Sequence, residues 1–163
     1  MSSSSKPSLA TKPAKFLTVA LADEAYGLSV LTVREIIRHQ KITPIPQLPG
    51  FVRGVLNLRG RIIPILDLRE MLGLVAAFTE RTCIVVVHVT AGEKARPMGL
   101  IVDAVDEVVS LTPDAIEPAP EFGTAVDTRF LLGLAKINGR VLSLLDLPRL
   151  IAPETCDTVP AAA

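Results

Sequence analysis

The chain contains two copies of one sequence block, and this internal duplication limits its fold more than any other feature. The 22-residue segment that starts at Phe51 aligns without a gap with the segment that starts at Phe130, and seven positions are identical. Another eight positions exchange one aliphatic residue for another. A second pair of blocks, starting at Tyr26 and Met98, lies upstream. A chain built in this way is expected to fold as two similar units.

The spacing of the repeated blocks predicts where the units begin and end. The offset between copies is 72 residues in the upstream blocks and 79 in the downstream blocks, so the second unit carries seven extra residues. We expect the first unit at residues 16–80 and the second at 81–152, and two such units can exchange their terminal strands. The segments 1–15 and 153–163 lack periodicity and are predicted to be disordered tails.

Short aliphatic runs separated by Gly, Pro and Asn indicate many short strands rather than long helices. The predicted strands of the first unit, with their copies in the second where the two were aligned, are Phe16–Leu21 (Cys83–Val89), Tyr26–Val30 (Met98–Val102), Val33–His39 (Val105–Leu111), Gly54–Leu58 and Arg61–Leu66.

The last two strands of each unit are expected to meet at a two-residue hairpin turn, which is Arg59-Gly60 in one copy and Asn138-Gly139 in the other. Asp67, with Glu70 three residues later, matches a capping box at the start of a short helix, and Asp146 has the equivalent place. The predicted fold is therefore all-β, with two small pseudo-repeated five-stranded β-barrels packed side by side and short capping helices.

Composition excludes several classes of protein. The chain has 17 basic and 17 acidic residues and a mean hydropathy of +0.44, which is typical neither of a disordered chain nor of a strongly charged nucleic-acid binder. The longest apolar run, Cys83–Val89, is far shorter than the roughly 20 residues of a membrane helix. Phe16–Ala22 follows lysines like a signal peptide but belongs to a repeated strand, so we expect a cytoplasmic protein without membrane insertion.

Motifs for catalysis or metal binding were not found in the sequence. Cys83 and Cys156 are expected to be free thiols, and His39 and His88 lack partners at metal-ligand spacing. There is no glycine-rich phosphate loop and no serine-nucleophile motif. Asp67 and Asp146 could form an acid dyad, but helix capping explains both. The chain is therefore predicted to be neither an enzyme nor a cofactor-binding or metal-binding protein.

Charge is distributed unevenly along the chain. Residues 34–69 contain seven basic and two acidic residues, whereas residues 103–127 contain seven acidic and no basic residues. Two solvated surfaces would explain this pattern. The alternative is a module whose ends bind partners of opposite charge, which points to recognition rather than catalysis.

The repeated blocks resemble those of the CheW coupling protein of bacterial chemotaxis. The resemblance covers about residues 16–151 and rests on YGLSVLTVREII, NLRGRIIPILDLR, MGLIVDAVDEVVSLTPDAIEPAPEF and FLLGLAKINGRVLSLLDL. The hairpin AGEKARPMG is longer than is usual in the family. The resemblance implies a non-catalytic adaptor that links the cytoplasmic tip of methyl-accepting chemoreceptors to the regulatory domain of the histidine kinase CheA, within membrane-associated receptor arrays.

The resemblance also implies a set of site residues. Four correspond to positions linked to receptor or kinase coupling, and three match a loop at a kinase contact: Val33, Glu35, Gly54 and Arg59, then Glu117, Glu121 and Phe122. Val33 could equally be strand core, and turn geometry would explain Gly54. Phe122 has no copy in the first unit and is expected to be an exposed anchor, unless it packs beneath its own loop.

Arg59 has an internal control in the duplication. The second copy has Asn138 at this point, and asparagine suits a turn with positive φ better than arginine does. We therefore predict that Arg59 serves a function at the surface, against the alternative of an ordinary exposed arginine. Two other functions stay open, a ligand-binding or nucleic-acid-binding double barrel and a hydrolase, although a hydrolase would need a nucleophile that the motifs do not supply.

Overall fold

The computed structural model describes residues 13–47, 51–74, 77–91, 94–118 and 130–151. The strands of these ranges are β1 (Ala14–Leu21), β2 (Glu24–Ser29), β3 (Val33–Arg38), β4 (Val52–Leu58), β5 (Arg61–Asp67), β6 (Cys83–Ala91), β7 (Lys94–Val102), β8 (Ala104–Leu111), β9 (Leu131–Ile137) and β10 (Arg140–Leu145). Each strand that the sequence predicts is present. Most of the two predicted tails lies outside the described residues, and β1 begins at Ala14, within the segment predicted as the first tail.

Two five-stranded sheets pack side by side. Sheet A has the strand order β8-β1-β2-β10-β9, and sheet B has the order β3-β6-β7-β5-β4. Within each sheet one contact is parallel, β2 with β10 in sheet A and β5 with β7 in sheet B, and the other contacts are antiparallel. Each sheet takes strands from both repeats, so the boundaries of the repeats and of the sheets do not coincide.

The sheets do not close into the barrels that the sequence predicts. In sheet B the edge strands β3 and β4 are not paired with each other. The chain between them supplies Thr43, which exchanges two backbone hydrogen bonds of 3.0 and 2.9 Å with Val55 of β4. In sheet A, Glu117 and Leu134 make the equivalent pair at 2.8 and 2.7 Å. An irregular connection therefore takes the place of the strand pairing that would close each barrel.

The largest apolar cluster contains residues of both sheets, and a smaller cluster belongs to each sheet alone. Strand β6 shows how one sequence serves both kinds of cluster. Val85, Val87 and Val89 pack into the shared core, whereas Ile84 and Val86 pack within sheet B. Both faces of the strand are buried, and this explains why its apolar run is uninterrupted rather than alternating.

The two-residue hairpin turns are confirmed. Arg59 and Gly60 have φ values of 52° and 84°, and Asn138 and Gly139 have 51° and 78°. Positive φ at both central residues is the mark of the turn whose twist matches that of the flanking strands. The turn in sheet B is further stabilised by the Gly60 amide, which donates a 3.0 Å hydrogen bond to the Asn57 side chain.

Two four-residue helices follow the hairpins, α1 (Leu68–Met71) and α2 (Leu147–Leu150). Asp67 and Asp146 cap them by accepting backbone hydrogen bonds from Arg69 at 3.0 Å and Arg149 at 3.2 Å. The expected role of Glu70 in a capping box is wrong, because its carboxylate pairs with an arginine of β4. Neither helix, nor any other in the described ranges, has the length and hydropathy needed to cross a membrane.

Candidate protein-interaction site

Two of the predicted coupling residues form one ion pair across the open edge of sheet B. Arg59 lies at the tip of the β4–β5 hairpin, and Glu35 lies on β3, the opposite edge strand. Each terminal nitrogen of Arg59 donates a 2.6 Å hydrogen bond to a different carboxylate oxygen of Glu35. This two-pronged geometry uses the planar shape of both groups.

The pair is exposed, and its charges depend on each other. The Arg59 side chain is 71% exposed. Its hydrogen bond lowers the pKa of Glu35 below the usual glutamate range, while the carboxylate raises the pKa of Arg59. Both groups therefore stay charged near neutral pH. An exposed guanidinium that is already oriented by a carboxylate can offer its remaining donors to a partner at a low entropic cost.

The other two predicted coupling residues are less accessible. Val33 is half-buried and packs against the shared core. Gly54 is buried at a φ of 141°, and a Cβ atom there would collide with the carbonyl oxygen of Thr43. The close approach between β4 and the Thr43 connection thus requires glycine. Gly54 supports the shape of the site and presents no side chain to a partner.

The predicted kinase-contact loop is only partly described. Glu117 is exposed, and its backbone is held by the paired hydrogen bonds with Leu134 of β9. Glu121 and Phe122 lie outside the described residues. The side chain of Glu117 is therefore available to solvent at a fixed place on the edge of sheet A.

The two charged runs of the sequence lie on or beside different sheets. The exposed basic residues of the first run belong to the edge and hairpin of sheet B or to the connection between them: Arg34, Arg38, Lys41, Arg59 and Arg61. The exposed acidic residues of the second run lie on β8 of sheet A and just after it: Asp106, Glu107, Asp114 and Glu117. Sheet A also exposes Lys15, Lys136 and Arg140, so the two runs form separate charged patches rather than oppositely charged ends.

A buried ionic network, which the sequence analysis missed, lies at the end of the β4–β5 hairpin opposite to Arg59. Asp67 and Arg69 are both fully buried. One oxygen of Asp67 accepts hydrogen bonds from the backbone amide and Nε of Arg69, at 3.0 and 2.9 Å. The other oxygen accepts from Arg69 Nη2 at 2.9 Å and from Nη2 and Nε of Arg53 at 3.0 and 3.2 Å. With both oxygens occupied by arginine donors, Asp67 is not available for an acid dyad.

The network also joins the two sheets. Arg69 Nη1 donates to a carboxylate oxygen of Asp103 at 2.7 Å and to the Ala77 carbonyl at 2.6 Å. The second oxygen of Asp103 accepts from the backbone amide of Ala22, in the β1–β2 turn of sheet A, at 2.7 Å. The ring of Phe78 lies 5.0 Å from the Arg69 guanidinium, within cation–π distance. These contacts fix the position of α1 relative to sheet A.

The network sets the ionisation of Asp67. Burial raises the pKa of its carboxyl, but the hydrogen bonds and positive charges of Arg69 and Arg53 outweigh burial and hold the pKa below its usual range. Asp67 is therefore ionised near neutral pH. Within the described ranges, no three His, Cys, Asp or Glu side chains converge in a geometry that could hold a metal ion.

Comparison with known proteins gives the family. The model of the CheW-like domain matches residues 15–154. The chain belongs to the CheW family. It is 39% identical over 141 residues to chemotaxis protein CheW of Klebsiella aerogenes, covering 86% of this chain and 82% of that protein. It is 33% identical over 141 residues to chemotaxis protein CheW of Rhizobium meliloti, covering 86% and 88%.

A solved structure agrees with the family assignment. The crystal structure of the scaffolding protein TtCheW from Thermoanaerobacter tengcongensis superposes with a TM-score of 0.78 and is 35% identical in sequence. The match covers 88% of this chain and 90% of that one. The resemblance stated from the repeated blocks is thereby confirmed, and the chain is a member of a chemotaxis scaffold family.

Proposed function

We propose that this protein is a non-catalytic adaptor that couples chemoreceptor tips to the regulatory domain of the kinase CheA. It would act in the cytoplasm, at membrane-associated receptor arrays. Membership of a chemotaxis scaffold family supports this proposal. The observation that carries it is the Arg59–Glu35 pair, in which two residues predicted to act in coupling form one exposed, oriented site.

The shape of the hairpin favours a binding role for Arg59. Its φ of 52° is a conformation that asparagine or glycine adopts more readily. The equivalent turn in sheet A has asparagine at almost the same φ. Folding alone does not require arginine here, and an exposed ion pair contributes little to stability. We infer that Arg59 is retained for contact with a receptor or kinase, and that Glu35 orients it.

The acidic patch on and beside sheet A provides a second contact in this proposal. Glu117 and the neighbouring Glu121 and Phe122 would bind the kinase, through the edge of sheet A. Because Arg59 lies on sheet B and Glu117 on the edge of sheet A, the receptor and the kinase would approach different parts of the adaptor. An adaptor needs such separate surfaces, since it must bind both partners at once.

The proposal is tested in a reconstituted system of receptor fragment, CheA and this protein. Arg59→Asn is expected to leave the melting temperature unchanged or slightly higher, because asparagine suits the turn. The concentration of adaptor needed for half-maximal kinase stimulation should rise about tenfold or more, as expected when one oriented contact is lost. Arg38→Asn removes another exposed positive charge from the same sheet and serves as the matched control.

A charge swap separates a binding role from a structural one. Arg59→Glu combined with Glu35→Arg can restore an ion pair but moves the positive charge to β3. If Arg59 contacts a partner, the swap stays defective. Full stimulation by Arg59→Asn, or recovery in the swapped protein, would contradict the assigned role. A protein that fails to stimulate the kinase even with both residues intact would refute the adaptor function itself.

A further inference from the structure

In sheet A, the region between β8 and the β9–β10 hairpin has the same backbone arrangement as the Arg59–Glu35 site of sheet B, but it lacks the arginine. Backbone register identifies the equivalent residues. In sheet B, Glu35 faces Val86, which in turn pairs with Gly99. In sheet A, Thr18 pairs with Gly27, and Glu107 occupies the place of Glu35 at the repeat offset of 72. At the hairpin tip, Asn138 replaces Arg59.

The missing guanidinium leaves a cavity in sheet A. It has a volume of about 70 Å³ and lies between β8 and the β9–β10 hairpin. Its lining includes Thr18, Asp106, Glu107, Asn138 and Arg140. A single buried water needs only about 10–15 Å³, so the space accommodates a larger polar group. With two carboxylates against one arginine, the charged lining has a net charge of −1.

Two polar residues of the cavity lack partners among the residues that the structure describes. Glu107 makes no ion pair or side-chain hydrogen bond with any residue that the structure describes, whereas Glu35 makes two hydrogen bonds. The hydroxyl of Thr18 is shielded from solvent and lacks a hydrogen-bond partner among the described residues. Its counterpart Val86 is buried in the apolar cluster of sheet B. An unpaired hydroxyl therefore occurs in sheet A at the position where sheet B has a buried valine.

Exposed valines lie on β8 and β10, the two strands between which the cavity lies. Val108 on β8 and Val141 on β10 are each 52% exposed. Val141 also lines the cavity itself. A long cationic side chain that entered the cavity would place its methylene groups, and the residues next to it, against these valines.

We propose that this cavity binds an arginine side chain carried by a segment of a partner protein. The partner's guanidinium would take the place that Arg59 takes in sheet B and pair with Glu107 in the same two-pronged way. Charge complementarity and the Arg59–Glu35 pair at the equivalent position of sheet B identify the occupant as arginine. Because the site is a property of the isolated chain, it does not depend on the adaptor function proposed above.

The test uses the full-length 15N-labelled protein and two blocked tripeptides, acetyl-Val-Arg-Val-amide and acetyl-Val-citrulline-Val-amide. Citrulline has nearly the shape of arginine without its charge. The arginine peptide is expected to cause saturable NMR shifts at the backbone amides of Glu107 and Asn138. The citrulline peptide should bind at least about tenfold more weakly, since it loses the charge-assisted contacts.

Two variants and one control make the test specific. Glu107→Gln should weaken binding of the arginine peptide at least about tenfold. Asn138→Arg fills the cavity from within, should abolish the saturable shifts, and is tolerated by a turn whose counterpart already holds arginine at a φ of 52°. Glu35→Gln should leave the shifts near Glu107 unchanged. Absence of saturable shifts, equal binding of citrulline, or normal binding by folded Asn138→Arg would overturn the proposal.

Discussion

Removing the charge of Asp67 should destabilise the protein far more than the same change at its counterpart Asp146. Asp67 accepts five hydrogen bonds, four of them from arginine side chains, and is fully buried. In Asp67→Asn, one carboxylate oxygen becomes an NH2 donor that faces arginine donors. The buried charge of Arg69 then loses its main partner, and breaking a buried pair in this way costs about 3–5 kcal/mol.

The matched control is Asp146→Asn. The Asp146 side chain is 19% exposed and caps α2 through the Arg149 amide. Asparagine is itself a good N-cap, so the expected loss is about 1 kcal/mol or less. For a domain of this size each kcal/mol shifts the melting temperature by about 2–4 °C. Urea titration and calorimetry should therefore show a fall of roughly 6–20 °C for Asp67→Asn and a few degrees for Asp146→Asn.

The same network predicts an acid-sensitive stability. The folded-state pKa of Asp67 is below its ordinary value of 3.8, so the ionised form is stabilised by folding. This contribution is fully present above pH 3.8 and is lost as the pH falls through the folded pKa. The free energy of unfolding of Asp67→Asn should fall less steeply below that pH. Equal destabilisation by Asp67→Asn and Asp146→Asn, or an unchanged acid limb, would refute the assignment of the network.

Two further substitutions test the close approach at Gly54 and the predicted kinase-contact loop. Gly54→Ala should lower the free energy of unfolding by about 2–5 kcal/mol, because its φ is unfavourable for alanine and the new Cβ collides with the Thr43 carbonyl. Gly60→Ala, with a φ of 84° and open space around it, should lower it by about 1 kcal/mol. Similar denaturation midpoints for the two variants would show that the close approach at Gly54 is not rigid. Phe122→Ala should weaken CheA binding about thirtyfold, measured by calorimetric titration, without lowering the melting temperature. Unchanged affinity together with a lower melting temperature would instead show that Phe122 belongs to the core.

Local patterns were sufficient to predict the strands and the hairpin turns. Aliphatic runs define the strands, and Asn138-Gly139 has a strong preference for its turn. The strand order could not be predicted from local patterns, because the pairing of β1 with β8 joins residues about 90 positions apart in the sequence. For the same reason the sequence identified Arg59 and Glu35 separately but did not show that they are bonded.

Comparison of the two repeats indicates the buried network, whereas interpretation of one residue at a time misses it. The repeats retain the aspartate, as Asp67 and Asp146, but its surroundings differ together. At the places of Arg53, Arg69 and Asp103, the other copy has Leu132, Pro148 and Leu31. Leu132 and Leu31 are 51% and 85% exposed, so these positions face solvent in one copy and hold an ionic network in the other.

Such a coordinated difference has a physical cause. A buried arginine without its carboxylates is strongly unfavourable, so the partners of Asp67 are expected to be replaced together. The aspartate itself is present in both copies, because Asp146 caps a helix and its side chain is 19% exposed. The Arg59–Glu35 pair is exposed and obeys no such constraint, and accordingly only one of its members differs between the copies, Asn138 against Arg59. Joint replacement of several partners therefore indicates a buried network, and single replacement indicates an exposed site. By this criterion, the lone Glu107 of sheet A remains available for an external arginine.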